Sequence, residues 1–313
     1  MLSSPRHLLS AYLLFSLGAT AQPTRTFRLA LSPPFERQVR LSMEQTVTQS
    51  LPNNNHTVDQ RTVLGQTFKV SEVDPEGAMT LWVRYDSVYH KVTTENPTST
   101  LTMEFDSENP PDPLPPMAVG YAALVNKTFE VKVSSRGTVL QVTGVQEMLS
   151  SILDQLKVTD PEARQEALAQ LKSRFGAQAI QETMQSLFPV YPEEPVAIGD
   201  SWSNTMAMSQ SIPIQVANTW TLRQLGEDLA VVDLSSKVTQ AEGASDTAEK
   251  EGTPDYRLSG TQSGTLRVDL ETGWVVSTEL QQDFQGTVLF RQGDESLDIP
   301  IALKGKVSLQ PRP

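Results

Sequence analysis

The chain of 313 residues has no cysteine. That excludes disulfides, thiol catalysis, cysteine-ligated metals and the lipid-modified cysteine that tethers some exported proteins to a membrane. Histidine is almost as scarce, at three residues. His56 and His90, the two outside the first twenty-one residues, have no metal-binding spacing with each other, whereas a zinc site draws three or four ligands from histidine, cysteine and carboxylates. No metal site is expected. Aromatic residues make up 6% of the chain, few for the stacking platforms of a sugar-cleaving cleft. Beyond the N-terminus no apolar run approaches about 18 residues, so no later segment reads as a membrane-spanning helix. Bases are outnumbered, 25 against 37 acids, and a net charge of −12 repels phosphate backbones and anionic lipid surfaces. Nucleic acid is excluded as a partner. Walker loop, dinucleotide fingerprint and zincin motif are all missing, so no cofactor is expected.

What is present begins with Arg6, the mainly apolar run Leu8 to Leu17, and Ala19-Thr20-Ala21. A basic residue, a short apolar core and a small-residue site together read as a secretory signal peptide, residues 1–21, cleaved after Ala21. As a helix the run would reach about 15 Å, half of a hydrocarbon core of about 30 Å. The expectation is an exported protein, periplasmic or extracellular, with a mature charge of −13 once Arg6 is removed. A chain of this length buries enough surface to fold without disulfides.

The rest is patterned mainly as strands. Val276, Thr278, Leu280, Gln282, Phe284, Val288 and Phe290 alternate with Ser277, Glu279, Gln281, Asp283 and Gln285, which predicts one long half-buried strand. Leu297, Ile299, Ile301, Leu303, Val307 and Leu309 repeat the pattern after Gln292-Gly293-Asp294, predicting a hairpin. Leu266, Val268 and Leu270 join this set, and Ile214, Val216, Trp220 and Leu222 form another strand. In the first half, Phe68 and Val70 lead to the turn Asp74-Pro75-Glu76-Gly77, followed by Met79, Leu81, Val83 and Tyr85. At Asp86-Ser87 the apolar parity switches to Val88 and Val92, which predicts a bulge. Phe129, Val131 and Val133 turn at Arg136-Gly137 into Val139 to Val142.

Between the halves the period changes to that of helices: Val145, Leu149, Ile152 and Leu156; Leu168, Leu171 and Phe175; Ile180, Met184 and Leu187. Thr159-Asp160-Pro161-Glu162 reads as a helix start, and Gly176 as an end. Exposed loops are expected at 109–116 and 241–254. The expected fold is mainly β (α+β), with long antiparallel strands in one or two curved sheets and a central segment of two or three short amphipathic helices. Its divisions are 22–144, 145–190 and 191–313 after the signal, and 22–313 is compatible with a single domain.

Chemistry is thinly represented. Gly199-Asp200-Ser201-Trp202 is similar to the serine block of SGNH esterases, but their Asp-x-x-His pair lies near the C-terminus, and here the last histidine is His90. A turn followed by a strand anchored by Trp202 is the simpler reading. Asp106-Ser107-Glu108-Asn109 with Asp112 offers oxygens for calcium without the ligand spacing of a twelve-residue loop, and a solvated acidic loop fits it better. Asn55-His56-Thr57 and Asn126-Lys127-Thr128 fit the glycosylation sequon.

Several blocks in order resemble an exported bacterial family known as domain of unknown function six-two-six-three. They are Val83-Arg84-Tyr85-Asp86-Ser87-Val88, the run from Leu124 to Gly144, Phe188-Pro189 leading to Pro195 through Trp202, and Leu258-Ser259-Gly260 through Gly264 to Gly273. The resemblance implies export and a β-rich fold, and brings no catalytic residues.

The leading functional expectation is a non-enzymatic binding or carrier protein for an apolar small molecule or an envelope component. The apolar-face residues Trp220, Leu222, Leu280, Phe284 and Phe290 are the candidate ligand contacts. An envelope structural or assembly protein whose helices fill its own core is the alternative, and a hydrolase ranks third. The deciding question is whether the helices of 145–188 fill the apolar face or leave a pocket.

Overall fold

A computed structural model describes residues 23–51, 54–115, 118–208, 213–241, 255–292 and 295–312. The expected signal peptide lies outside the described residues, as do nearly all of the loop expected at 241–254 and the tip of the turn at 292–294.

Alternating sequence becomes strand throughout. The strands are β1 (Glu36–Leu51), β2 (Asn54–Val73), β3 (Met79–Asn96), β4 (Ser99–Asp106), β5 (Thr128–Val133), β6 (Val139–Thr143), β7 (Ser201–Met208), β8 (Ile214–Leu225), β9 (Leu229–Gln240), β10 (Asp255–Asp269), β11 (Val275–Gln292) and β12 (Glu295–Pro311). All are antiparallel and form one sheet, ordered β6-β5-β3-β2-β1-β12-β11-β10-β9-β8-β7, with β4 beside the second half of β3. The two β-rich halves are therefore one sheet. Their seam is the pairing of β1 with β12, in which Leu41 faces Leu309 and Val47 faces Leu303.

One face is apolar and the other solvated, as expected of an antiparallel sheet covered on one side. Along β3, Met79, Leu81, Val83 and Tyr85 point inward; Asp86 is then the extra residue of a bulge, and Val88 and His90 resume the inward position. This is the bulge that the parity switch predicts. Its extra side chain is held by Thr67 Oγ1, which donates to Asp86 Oδ2 at 2.6 Å, and by Arg84 Nε, which donates to Oδ1 at 2.6 Å. The hairpin of β11 and β12 is likewise found.

The sheet curls where glycines meet bulky neighbours. On the inner face Gly260 lies opposite Phe284, and Gly264 opposite Leu280. A Cβ added to Gly260 would stand 2.7 Å from both Cα and Cδ1 of Phe284; one added to Gly264 would stand 2.8 Å from Cα of Leu280. Those distances leave no room for a side chain, so these two glycines admit the close approach that closes the curve.

The central segment forms three helices, α2 (Val145–Gln155), α3 (Pro161–Phe175) and α4 (Ala177–Leu187), and a short α1 (Val119–Leu124) that the sequence reading did not foresee precedes them. Asp160 caps α3 as its spacing predicts, accepting from the Ala163 amide at 2.8 Å with Pro161 in the first turn. Val145, Leu149, Ile152, Ile180 and Met184 enter the core. The exposed edge of β6 is covered by α4: the Val139 amide donates to Gln185 Oε1 at 2.8 Å, and Gln181 Nε2 donates to the Val139 carbonyl at 3.4 Å.

These helices close only one end of the curled sheet. Residues 23–35 cross that end as a strap, burying Phe27, Leu29 and Leu31. Arg25 exchanges two backbone hydrogen bonds with Val196; the Leu29 amide donates to the Ser135 carbonyl at 2.7 Å and the Ala30 amide to the Thr272 carbonyl at 2.8 Å. Tyr191 Oη, buried, donates to the Gly273 carbonyl at 2.6 Å. Burial pushes the ionisation of this phenol well above its ordinary range. Trp274 centres the plug, with ring centroids 5.4 Å from Phe35, 5.5 Å from Phe68 and 5.8 Å from Phe188.

One core position conflicts with its surroundings. Gln66 is 1% exposed, and neither of its amide atoms has a hydrogen-bond partner among the described residues. An orphaned buried polar group costs roughly 1–3 kcal/mol. Gln66→Leu should therefore raise the urea unfolding midpoint, by about 1 kcal/mol or more in stability. Gly260→Val should lower stability by about 1–3 kcal/mol through collision with Phe284, seen in the same unfolding assay.

Candidate ligand groove

At the other end of the sheet no described helix covers the inner face. An 11-residue helix such as α4 is about 17 Å long, whereas an 18-residue strand such as β11 runs about 60 Å, so short helices cannot line the whole curve. The result is a groove of about 310 Å³. Its floor is the inner face of β1 and of β7 to β12, and its wall is the end of α4 with Phe188, Pro189 and Val190.

Leu41, Met43, Met206, Met208, Ile214 and Phe284 give the groove an apolar lining, and methionine suits a surface that must adapt to what it touches. None of its described lining residues carries a charge, in a chain that is 20% charged. Trp220, 4% exposed, lines its inner end and stacks on Trp202 at 6.2 Å. Trp202 Nε1 in turn donates to the Val190 carbonyl at 2.9 Å, which fixes the wall to β7.

Across the floor runs a row of polar side chains. Asn204 on β7 faces Asn218 on β8, which faces Ser236 on β9, then Gln262 on β10 and Gln282 on β11; beyond Gly305 on β12 the row continues to Gln45 on β1. Ser236 Oγ donates to Asn218 Oδ1 at 2.7 Å, Asn218 Nδ2 to Asn204 Oδ1 at 3.2 Å, and Gln282 Nε2 to Gln262 Oε1 at 2.7 Å. The row divides the inner face. On one side lies the plugged core; on the other, a small cluster of Leu258, Val288 and Ile301 with Ile214, Tyr256 and Ile299 packed on it.

Of the five candidate contacts, Trp220, Leu280 and Phe284 line the groove. Leu222 and Phe290 share the face but not the groove. Leu222 is fully buried in the plugged core, and Phe290 stands 39% exposed near the hairpin end of β11. The polar row was not foreseen, because its members are scattered from 45 to 282 and only strand register aligns them.

Ser201 follows Gly199, whose φ is +95°, at the start of β7, where its hydroxyl lies 2.7 Å from Thr221 Oγ1. It points to the outer face, and His90 is buried on the inner face with Thr62 Oγ1 2.9 Å from its Nδ1 and the Tyr121 ring stacked at 4.2 Å. The Gly-Asp-Ser-Trp block is thus a turn that sets Trp202 into the core. In the acidic loop Asp106 accepts from the Glu108 amide at 2.9 Å, and Glu108 pairs with Arg312 at 2.6 Å. Among the described residues no group of three or more histidines and carboxylates is placed to hold a metal ion. A depression of about 480 Å³ on the outer face is lined by mixed charges such as Glu44, Arg61, Lys91 and Lys304; Glu44 and Arg61 pair across strands at 3.3 Å, as on a solvated sheet surface.

The polar row has two kinds of member. Ser236 and Asn218 are buried and depend on one another, whereas Gln262 and Gln282 are half-buried and open to the groove. Asn218→Leu should lower stability by about 1–3 kcal/mol by stranding the Ser236 hydroxyl, and Gln282→Leu by less than about 0.5 kcal/mol, both read by chemical unfolding.

No curated protein is similar to this chain in sequence. Among solved structures, one described as showing lipid–protein interactions in lipovitellin superposes with a TM-score of 0.48 at 8% identity, over 88% of this chain and 25% of that one. The chain thus spans a quarter of that protein's length. No helix among the described residues is long and apolar enough to cross a membrane, a statement that does not bear on membrane crossing by strands. The family resemblance expected from the ordered blocks is found over residues 76–275, and the chain belongs to the family of unknown function DUF6263.

Proposed function

We propose that the uncovered groove holds the apolar part of a ligand, and that the protein is a non-enzymatic binding or carrier protein. Export, as residues 1–21 would direct, is part of the proposal. A single observation carries it: a groove of about 310 Å³, continuous with the core, has an apolar lining and no charged side chain among the described residues. Specific small-molecule sites start at about 300 Å³ and combine apolar walls with a few placed polar groups.

The plugged end favours a second reading. There the helices and the strap fill the curve with the protein's own side chains, as an assembly protein with a self-filled core would. The readings differ at the groove. Native mass spectrometry of gently purified protein should show a bound apolar molecule, or uptake of one after delipidation. Met206→Lys, which places a charge on a half-buried groove position, should lower that uptake at least ten-fold while leaving the thermal midpoint within a few degrees. No bound molecule and no uptake by the wild type would leave the assembly reading standing.

A further inference from the structure

We infer that the polar row selects an amphipathic lipid whose head is uncharged, one carrying hydroxyl, ester or amide groups, over a lipid anion. The inference rests on the groove being a ligand site and deepens that reading.

The argument starts from position. On strands whose inner residues are mostly apolar, amides occupy one cross-strand rung: Asn204, Gln262, Gln282 and Gln45 all line the groove. Packing alone does not require them, because a half-buried apolar pair would suit the same positions. Gln282 Nε2 donates to Gln262 Oε1, and Asn218 Nδ2 donates to Asn204 Oδ1. These bonds use one atom of each amide. Among the described residues the amide nitrogens of Gln262 and Asn204 have no protein acceptor, so both are donors available to the groove. An amide offers donors and acceptors together, which matches a head that does the same.

Charge supplies the discrimination. A carboxylate or phosphate lying along the rung would leave water for a lining that holds no lysine, arginine or histidine among the described residues. A buried charge without a counter-charge is strongly unfavourable, whereas a hydroxyl or ester exchanges water for amide hydrogen bonds at little loss. The apolar zones on either side, Leu41 and Met43 toward the plug and Ile214 and Ile299 toward the hairpin end, receive the hydrocarbon. The long axis of such a ligand lies across the rung, with its head at the row.

Three probes with chains of the same length, C18, test this by displacement of an environment-sensitive apolar dye at pH 9, where oleate is ionised: 1-monooleoylglycerol, oleate and 1-octadecene. The wild type should bind monooleoylglycerol at least ten-fold more tightly than oleate and more tightly than the hydrocarbon. In the double variant Gln262→Leu with Gln282→Leu, the affinity for monooleoylglycerol should fall to that for octadecene, and the octadecene affinity should hold or rise. Oleate binding as well as monooleoylglycerol in the wild type overturns the inference, and that comparison needs no variant. So does octadecene equal to monooleoylglycerol, which would retain the groove as an apolar site but remove the role of the row. Binding of none of the three overturns the ligand-site reading itself.

Discussion

A single antiparallel sheet of long strands has one face that must leave water, and the helices available to cover it are short. Strands of 15–20 residues run about 50–65 Å. The three central helices have 11, 15 and 11 residues, and none exceeds about 23 Å. The mismatch decides the architecture. Coverage is concentrated at one end, where α2, α4, the strap of residues 23–35 and the rings around Trp274 make a closed plug. At the other end no described helix covers the inner face.

Curvature turns that open face into a groove instead of a flat patch. Gly260 and Gly264 let β11 press close to β10, and the large side chains of Phe284 and Leu280 lie over them, so the same pairs bend the sheet and furnish its apolar lining. The strap fixes the bend. It links the turn after β5, through Ser135, to the turn after β10, through Thr272, two points far apart in strand order. Tyr191 and Trp202 tie the segment after α4 to that frame, and the segment becomes one wall of the groove. Plug and groove are two consequences of one closure.

Local chemistry made much of this legible from sequence. The parity switch at Asp86, the cap at Asp160, the turn at Gly137 and the β11–β12 hairpin each depend on neighbours within a few residues, where period and turn chemistry act. The strap was missed because Arg25, Leu29 and Ala30 make their backbone hydrogen bonds to Val196, Ser135 and Thr272, each more than a hundred positions away. All of β1 escaped notice because Gln45 interrupts the alternation of Leu41, Met43 and Val47, and that same interruption is its place in the polar row. Among the candidate contacts, period two places Leu222, Leu280, Phe284 and Phe290 on one face but says nothing of depth along the strand. Depth is what separates the plugged core at Leu222 from the groove at Phe284 and the exposed end at Phe290.

The central claim is that the open inner face, and no other surface, receives an apolar chain. Photolabelling with a long-chain diazirine probe, followed by peptide mapping, measures this directly. Labels should concentrate on inward residues of β1, β7 and β11, among them Met43, Met206 and Phe284, and should be competed away by unlabelled lipid. Labels spread over the outer face, or gathered on the solvated side of α3, would contradict the account.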